Sequence, residues 1–398
     1  MKKNRKDFII ILLTILVVLS RGTILYGLPE FVYFGWTVFL SIYLFVTNSK
    51  TLKIDTKMLF FNVFCALSIL ANQIDPAFKS GYRFIAFLLV TIPFSPFLYS
   101  NKIILFRIYL FKLFMKIISL LVLISFIGYL VKFPLFYHQE TGTFSGVMIY
   151  CMVLGPIAAV ASIYMLNAAV KNKNKIYYLY SFVAFLTCLL SGSRGAFISM
   201  FAGFLFSVLV YCKGNFKKMF KVLFVILLIA NALGTILSPY METLEAKQQN
   251  NIERGGTFYS REELFKERIE EFLDSPLFGV GFSSIDINKS KHGYNLEKGI
   301  VEPGSSWLFI LSSTGLITFL LLIIIILSPL LYIYKVANKD DCDIIALGSC
   351  LTAFCVHMII EGYILAAGGF LFCAIWLTIG VCQKNVLKVI EGEKYSIF

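Results

Sequence analysis

The chain has 398 residues, 58% of them hydrophobic and only 15% charged, with a mean hydropathy of +0.80. Soluble domains carry about a quarter charged residues, so this composition excludes a set of soluble globular units and requires apolar surface that faces lipid or other apolar helices. The net charge of +13 falls in short connections between apolar runs, which argues for membrane topology signals and against a nucleic-acid surface.

A membrane span needs ~20 mostly apolar residues. On that basis spans are predicted at 8–27, 30–47, 58–74, 83–99, 108–131, 144–168, 175–191, 194–212, 219–238, 306–334, 343–361 and 363–382. The first follows a basic start, Met1-Lys-Lys-Asn-Arg-Lys6, and no small-residue cleavage site follows it, so it reads as an uncleaved span. The expected fold is an all-α integral membrane protein of about 12 transmembrane helices. About nine spans lie in 1–238, a large extracytoplasmic loop in 239–303, three further spans in 304–382 and a cytoplasmic tail in 383–398. Alternate connections carry Lys50, Lys53 and Lys57, then Lys102 and Arg107, then Lys171, Lys173 and Lys175, then Lys213 to Lys221, then Lys335 and Lys339. With both basic termini these form one cytoplasmic set, so the long connection is expected outside.

That connection, Pro239 to Pro303, far exceeds the ~2–8 residues usual between packed helices. Within it Ser260-Arg-Glu-Glu263 is a capping-box pattern. Leu264, Phe265, Ile269, Phe272 and Leu273 then recur at helical spacing until Asp274-Ser-Pro276. The spacing predicts an amphipathic helix near 260–273, with Pro276 to Gly281 (PLFGVG) as a tight apolar turn.

Three places carry chemistry. Ser191-Gly-Ser-Arg-Gly195 lies between two spans and opens a helix. Small residues let backbone N–H groups approach a ligand, and Ser193 with Arg194 suits a phosphate at the headgroup level; the bland alternative is a tight turn whose arginine reaches lipid phosphates. Arg261 occupies the predicted first helical turn, where a cation opposes the macrodipole unless an anion is near, with Arg268 two turns on. In Val301-Glu-Pro-Gly-Ser-Ser-Trp307, Glu302 can accept a proton from a hydroxyl, and His292 is the other candidate base. Arg21 and Arg83, towards the outer ends of their spans, are candidates for the same groove. His357 and Glu361 would share a helical face at i, i+4. No Cys or His spacing points to zinc, so neither metal nor cofactor is expected.

The order of these pieces resembles the O-antigen polymerase/ligase family of bacterial envelope glycosyltransferases. It rests on Ser191-Gly-Ser-Arg-Gly-Ala196, Ser260-Arg261, Pro276 to Gly281, Glu302-x-x-Ser-Ser-Trp-Leu308 and Ser313-Thr-Gly-Leu-Ile317, over roughly 185–335. The resemblance implies a GT-C-like bundle in the bacterial inner membrane and a substrate of undecaprenyl-pyrophosphate-linked oligosaccharide. Arg194 and Arg261 would hold the pyrophosphate, with Glu302 or His292 as base. It also implies membrane lipids, a chain-length regulator and a flippase as partners, and no nucleic acid. Transfer would be metal-independent, consistent with the lack of an Asp-x-Asp motif in the long loop. Polymerisation of repeat units is the leading expectation; ligation of polymer to lipid A-core and lipid-linked oligosaccharide flipping are the alternatives.

Overall fold

The computed structural model describes residues 5–72, 78–138, 142–215, 217, 220–221, 257–290, 294–297, 299–393 and 397–398. The helices among them are α1 Arg5–Leu19, α2 Glu30–Asn48, α3 Thr56–Ala71, α4 Ser80–Phe94, α5 Asn101–Leu130, α6 Cys151–Asn172, α7 Lys175–Leu190 and α8 Arg194–Tyr211. After a gap come α9 Thr257–Asp274, α10 Ser306–Val336, α11 Cys342–His357, α12 Phe370–Val381 and α13 Lys384–Glu393. The strands are two-residue antiparallel pairs: β1 Lys53–Ile54 with β2 Leu98–Tyr99, and β3 Tyr294–Asn295 with β4 Ile300–Val301.

The protein is a mostly α-helical, multi-pass membrane protein. Among the described helices, α2, α5, α6, α8 and α10 are long and apolar enough to cross a membrane. The shorter apolar helices α3, α4, α7, α11 and α12 pack among them. The span predicted at 219–238 lies outside the described residues.

α6 is the core helix. It packs on α5, α7, α8 and α11, and its run Leu154 to Met165 is buried throughout. α12 is buried along its whole length. Trp376 on it meets Phe87 of α4 edge-on at 5.5 Å and donates from its indole Nε1 to the Ile364 carbonyl at 3.0 Å, which gives the polar edge of the ring a partner.

Three sequence expectations are corrected here. α5 begins at Asn101, not 108, because Ser100 caps it by accepting from the Ile103 N–H at 3.2 Å. Arg107 is therefore buried inside the helix, where its Nε and Nη2 cap the Pro93 and Ile92 carbonyls of α4 at 2.9 and 3.0 Å. α11 ends at His357, so Glu361 stands in the irregular connection to α12 and does not share a helical face with His357. α9 is described from Thr257, so Arg261 stands beyond the first described turn and not in the first turn of a helix starting at Ser260.

α9 also turns an unexpected face inward. Leu264, Glu267, Arg268 and Glu271 are buried against the bundle, while Ile269 and Leu273 are 45% and 67% exposed. The predicted apolar stripe is thus split: Arg268 pairs with Glu267 and Glu271 on the inward face, while Ile269 and Leu273 point outward.

Candidate functional site

The long connection is fastened to the bundle through a break in α10. Gly315 adopts φ 81°, ψ 177°, a conformation outside the helix and costly for residues with a side chain. The break frees carbonyls, and the PLFGVG turn takes them. Val280 N–H donates to Ser312 O at 2.9 Å and Gly281 N–H to Ser313 O at 3.0 Å, while Leu316 N–H donates back to Pro276 O at 2.9 Å. Phe282 then plugs into the bundle, fully buried, with its ring 5.3 Å from Phe87 and 5.2 Å from Phe84. Arg83 ties the next stretch. Its Nη1 donates to the Ser283 carbonyl at 2.6 Å and its Nη2 to the Gly299 carbonyl at 2.5 Å, with the guanidinium over Phe78.

So held, α9 delivers Arg261 to Glu361. Arg261 Nη2 lies 2.6 Å from Glu361 Oε1, and each side chain keeps 23% of its surface accessible. Glu361 is fixed from behind by Ser306, whose N–H and Oγ both donate to the Glu361 carbonyl at 3.1 and 2.6 Å. Ser306 Oγ in turn accepts from the Tyr363 N–H at 3.0 Å. Ser305 caps α10 by accepting from Leu308 N–H, and the Trp307 indole donates to Cys355 O at 3.0 Å. The Ser-Ser-Trp run is therefore a clamp between the start of α10 and the end of α11. It sets Glu302, four residues before Ser306 and exposed, near enough to Glu361 to act on it as a like charge. Burial pushes the Glu361 carboxyl up, Arg261 partly offsets this, and Glu302 adds to the rise.

The small-residue turn borders the same connection. Ser193 caps α8 by accepting from Ala196 N–H, and Gly192 makes the preceding turn at φ 68°. A Cβ on Gly195 would fall 1.5 Å from Ile360 Cδ1 and 3.9 Å from His357 Cδ2, so the first turn of α8 lies flush against the 357–361 segment. Arg194, beside it, is exposed. His357 is buried; its Nδ1 is 3.3 Å from the Tyr363 hydroxyl, and its Nε2 has no hydrogen-bond partner among the described residues.

The remaining predicted residues sit elsewhere. Arg21 donates from Nε to Gly368 O at 3.0 Å, pairs with Glu30 at 3.2 Å and lies over the Tyr33 ring. Arg83 is the strut described above. Arg268 is buried among Glu267, Glu271 and Ser290, with Glu271 Oε1 at 3.0 Å and Ser290 Oγ at 2.5 Å. His292 lies outside the described residues. Burial drives the Glu271 carboxyl up to about 7 despite Arg268 and the Asp286 N–H, which donates to it at 2.8 Å. Sequence reasoning missed Glu267, Glu271 and Asp286 in this cluster. The available signal was that Leu264, Glu267, Arg268 and Glu271 recur at i, i+3, i+4, i+7, an inward stripe that happens to be charged.

The structure thus brings together Arg261, Glu361, Glu302, His357 and the turn bearing Arg194, and leaves Arg21, Arg83 and Arg268 as supports. No curated protein matches the chain. Residues 179–323, from α7 into α10 and including Arg194, Arg261 and Glu302, match the sequence model of the Wzy_C family, O-antigen ligase, which links this chain to the assembly of O-antigen and related polysaccharides.

Proposed function

We propose that the protein polymerises oligosaccharide repeat units carried on undecaprenyl pyrophosphate, at the outer face of the bacterial cytoplasmic membrane, with both termini inside. The observation that carries this reading is the convergence of the Arg261 helix, the Glu302 turn and the Arg194 turn on the 357–361 segment. Two guanidiniums there suit a diphosphate, because each offers paired N–H donors and keeps its charge. An acceptor hydroxyl attacks the anomeric carbon of the donor glycan. The C1–O bond breaks and its electron pair leaves on the pyrophosphate, whose growing charge the arginines neutralise. Glu302 takes the hydroxyl proton, and His292 is the alternative base.

Purified protein given lipid-linked repeat units should produce a ladder of chain lengths, and Arg194→Ala and Arg261→Ala should each abolish it while leaving a folded, inserted protein. A silent reaction beside an active control enzyme would sink the proposal. The description of the matched family favours a second reading, ligation of finished polymer to lipid A-core. Cells lacking the protein would then accumulate unattached polymer of normal length, whereas loss of a polymerase leaves single repeat units. Transport of the lipid-linked oligosaccharide into proteoliposomes without covalent change would place the protein in another class altogether.

A further inference from the structure

We propose that Glu361 is the exchangeable counter-ion of Arg261, a resident carboxylate that yields the guanidinium to a diphosphate but not to a single phosphate, and so sets the selectivity of the site. This rests on the reading that Arg261 meets the pyrophosphate of the donor.

The two partners are mounted differently. Glu361 is pinned by two hydrogen bonds from Ser306 to its carbonyl, whereas Arg261 hangs from α9 by a long flexible side chain. Both remain 23% accessible, so an incoming anion reaches the pair without unfolding anything. Exchange leaves Glu361 without its cation. The groups then acting on it are Glu302 from the turn before α10 and the Tyr363 hydroxyl from its own connection. A like charge at Glu302 and the arriving phosphate both disfavour an ionised Glu361, so it takes up a proton as the anion binds.

That cost discriminates. A diphosphate brings more charge and more acceptor oxygens than a carboxylate and can engage both arginines, so it displaces Glu361. A lipid headgroup with one phosphate brings about the same charge as the carboxylate it must displace, and gains little. The membrane around the site is full of such headgroups, and Glu361 keeps them off Arg261.

The test uses the full chain in detergent with two probes, farnesyl pyrophosphate and farnesyl phosphate, and three proteins: wild type, Glu361→Gln and Arg261→Ala. Gln is close to isosteric with Glu, and a monodisperse elution profile checks folding. Glu361→Gln should bind both probes more tightly, the monophosphate by about tenfold and the pyrophosphate by less, so that the preference narrows. Wild-type affinity should also rise relative to Glu361→Gln as the pH is lowered, because a protonated Glu361 no longer competes. Glu361→Asp, which keeps the charge, should retain the preference. If Arg261→Ala binds pyrophosphate like wild type, the phosphate reading of Arg261 fails. If Arg261→Ala loses the probe while Glu361→Gln binds no more tightly or keeps the same preference, the exchange proposal alone is overturned.

Discussion

Gly315 of α10 and Leu277 of the PLFGVG turn meet backbone to backbone. A Cβ on Gly315 would lie 2.1 Å from the Leu277 carbonyl oxygen, and one on Gly279, across the same contact, would lie 2.4 Å from the Ser313 carbonyl carbon and 2.5 Å from the Ser312 carbonyl oxygen. Both glycines have positive φ. Gly315→Ala should therefore cost about 1–3 kcal/mol from the backbone conformation alone, and more from the overlap, since neither partner is a movable side chain. Expected is a lowered melting temperature in detergent and protease cleavage in the 275–305 region at concentrations that spare the wild type.

The buried cluster on α9 makes the docking of this helix depend on pH. The folded-state pKa of Glu271, about 7, lies above the usual carboxylate value. The folded state therefore holds its proton more tightly than the unfolded state. The stabilisation is fully present below the unfolded value near 4.3 and is lost as pH rises through 7, so docking should be stronger at pH 6 than at pH 8 by about 1 kcal/mol. Hydrogen exchange of the α9 amides should follow this slope, and Glu271→Gln should flatten it.

Arg268 must also be kept. Its side chain is 1% accessible and that of Glu271 is fully buried, so Arg268→Ala would leave buried carboxylates without their cation. Removing one partner of a buried pair costs roughly 3–5 kcal/mol, and α9 should undock. Undocking would carry Arg261 away from Glu361 and so, on the proposed function, abolish polymer formation, and lowering the pH to about 6 should partly restore protection of α9.

Arg83 should act as a strut rather than as a substrate ligand. It holds the Ser283 and Gly299 carbonyls together, and charge-assisted bonds of this kind contribute about 1.5–3 kcal/mol each. Arg83→Ala is expected to loosen 283–301 in hydrogen exchange. Farnesyl pyrophosphate should bind the variant within about threefold of wild type, a difference under 1 kcal/mol; a complete loss of binding would place Arg83 in the phosphate groove instead.

Gly362, next to Glu361, packs against Pro303, next to Glu302. A Cβ there would fall 1.9 Å from Pro303 Cγ, part of a ring that cannot turn away, so Gly362→Ala should push Pro303 and its neighbour Glu302 outward. Overpacking of this sort costs about 1–3 kcal/mol. The expected signature is a fall in kcat with donor affinity retained, the reverse of what Arg261→Ala should give.

Much of this protein is legible in its sequence for one physical reason. A helix in lipid must satisfy its backbone internally, so apolar runs alone announced α2, α3, α7, α8 and α10 to within a few residues. Short polar motifs also declared themselves, since Arg194 after small residues and Arg261 on an amphipathic helix are patterns of local chain. Tertiary structure decided the rest. Glu361 and Arg261 are 100 residues apart, and no periodicity marks a glutamate that leaves its helix to meet an arginine from another. The same holds for Arg83, which looks like a groove cation until Ser283 and Gly299 are found on it. It holds also for the glycine break at 315, whose meaning lies in the turn at 276–281 that fills it. Hydropathy is written residue by residue along the chain, whereas the pairing of charges is set by which segments the fold brings side by side.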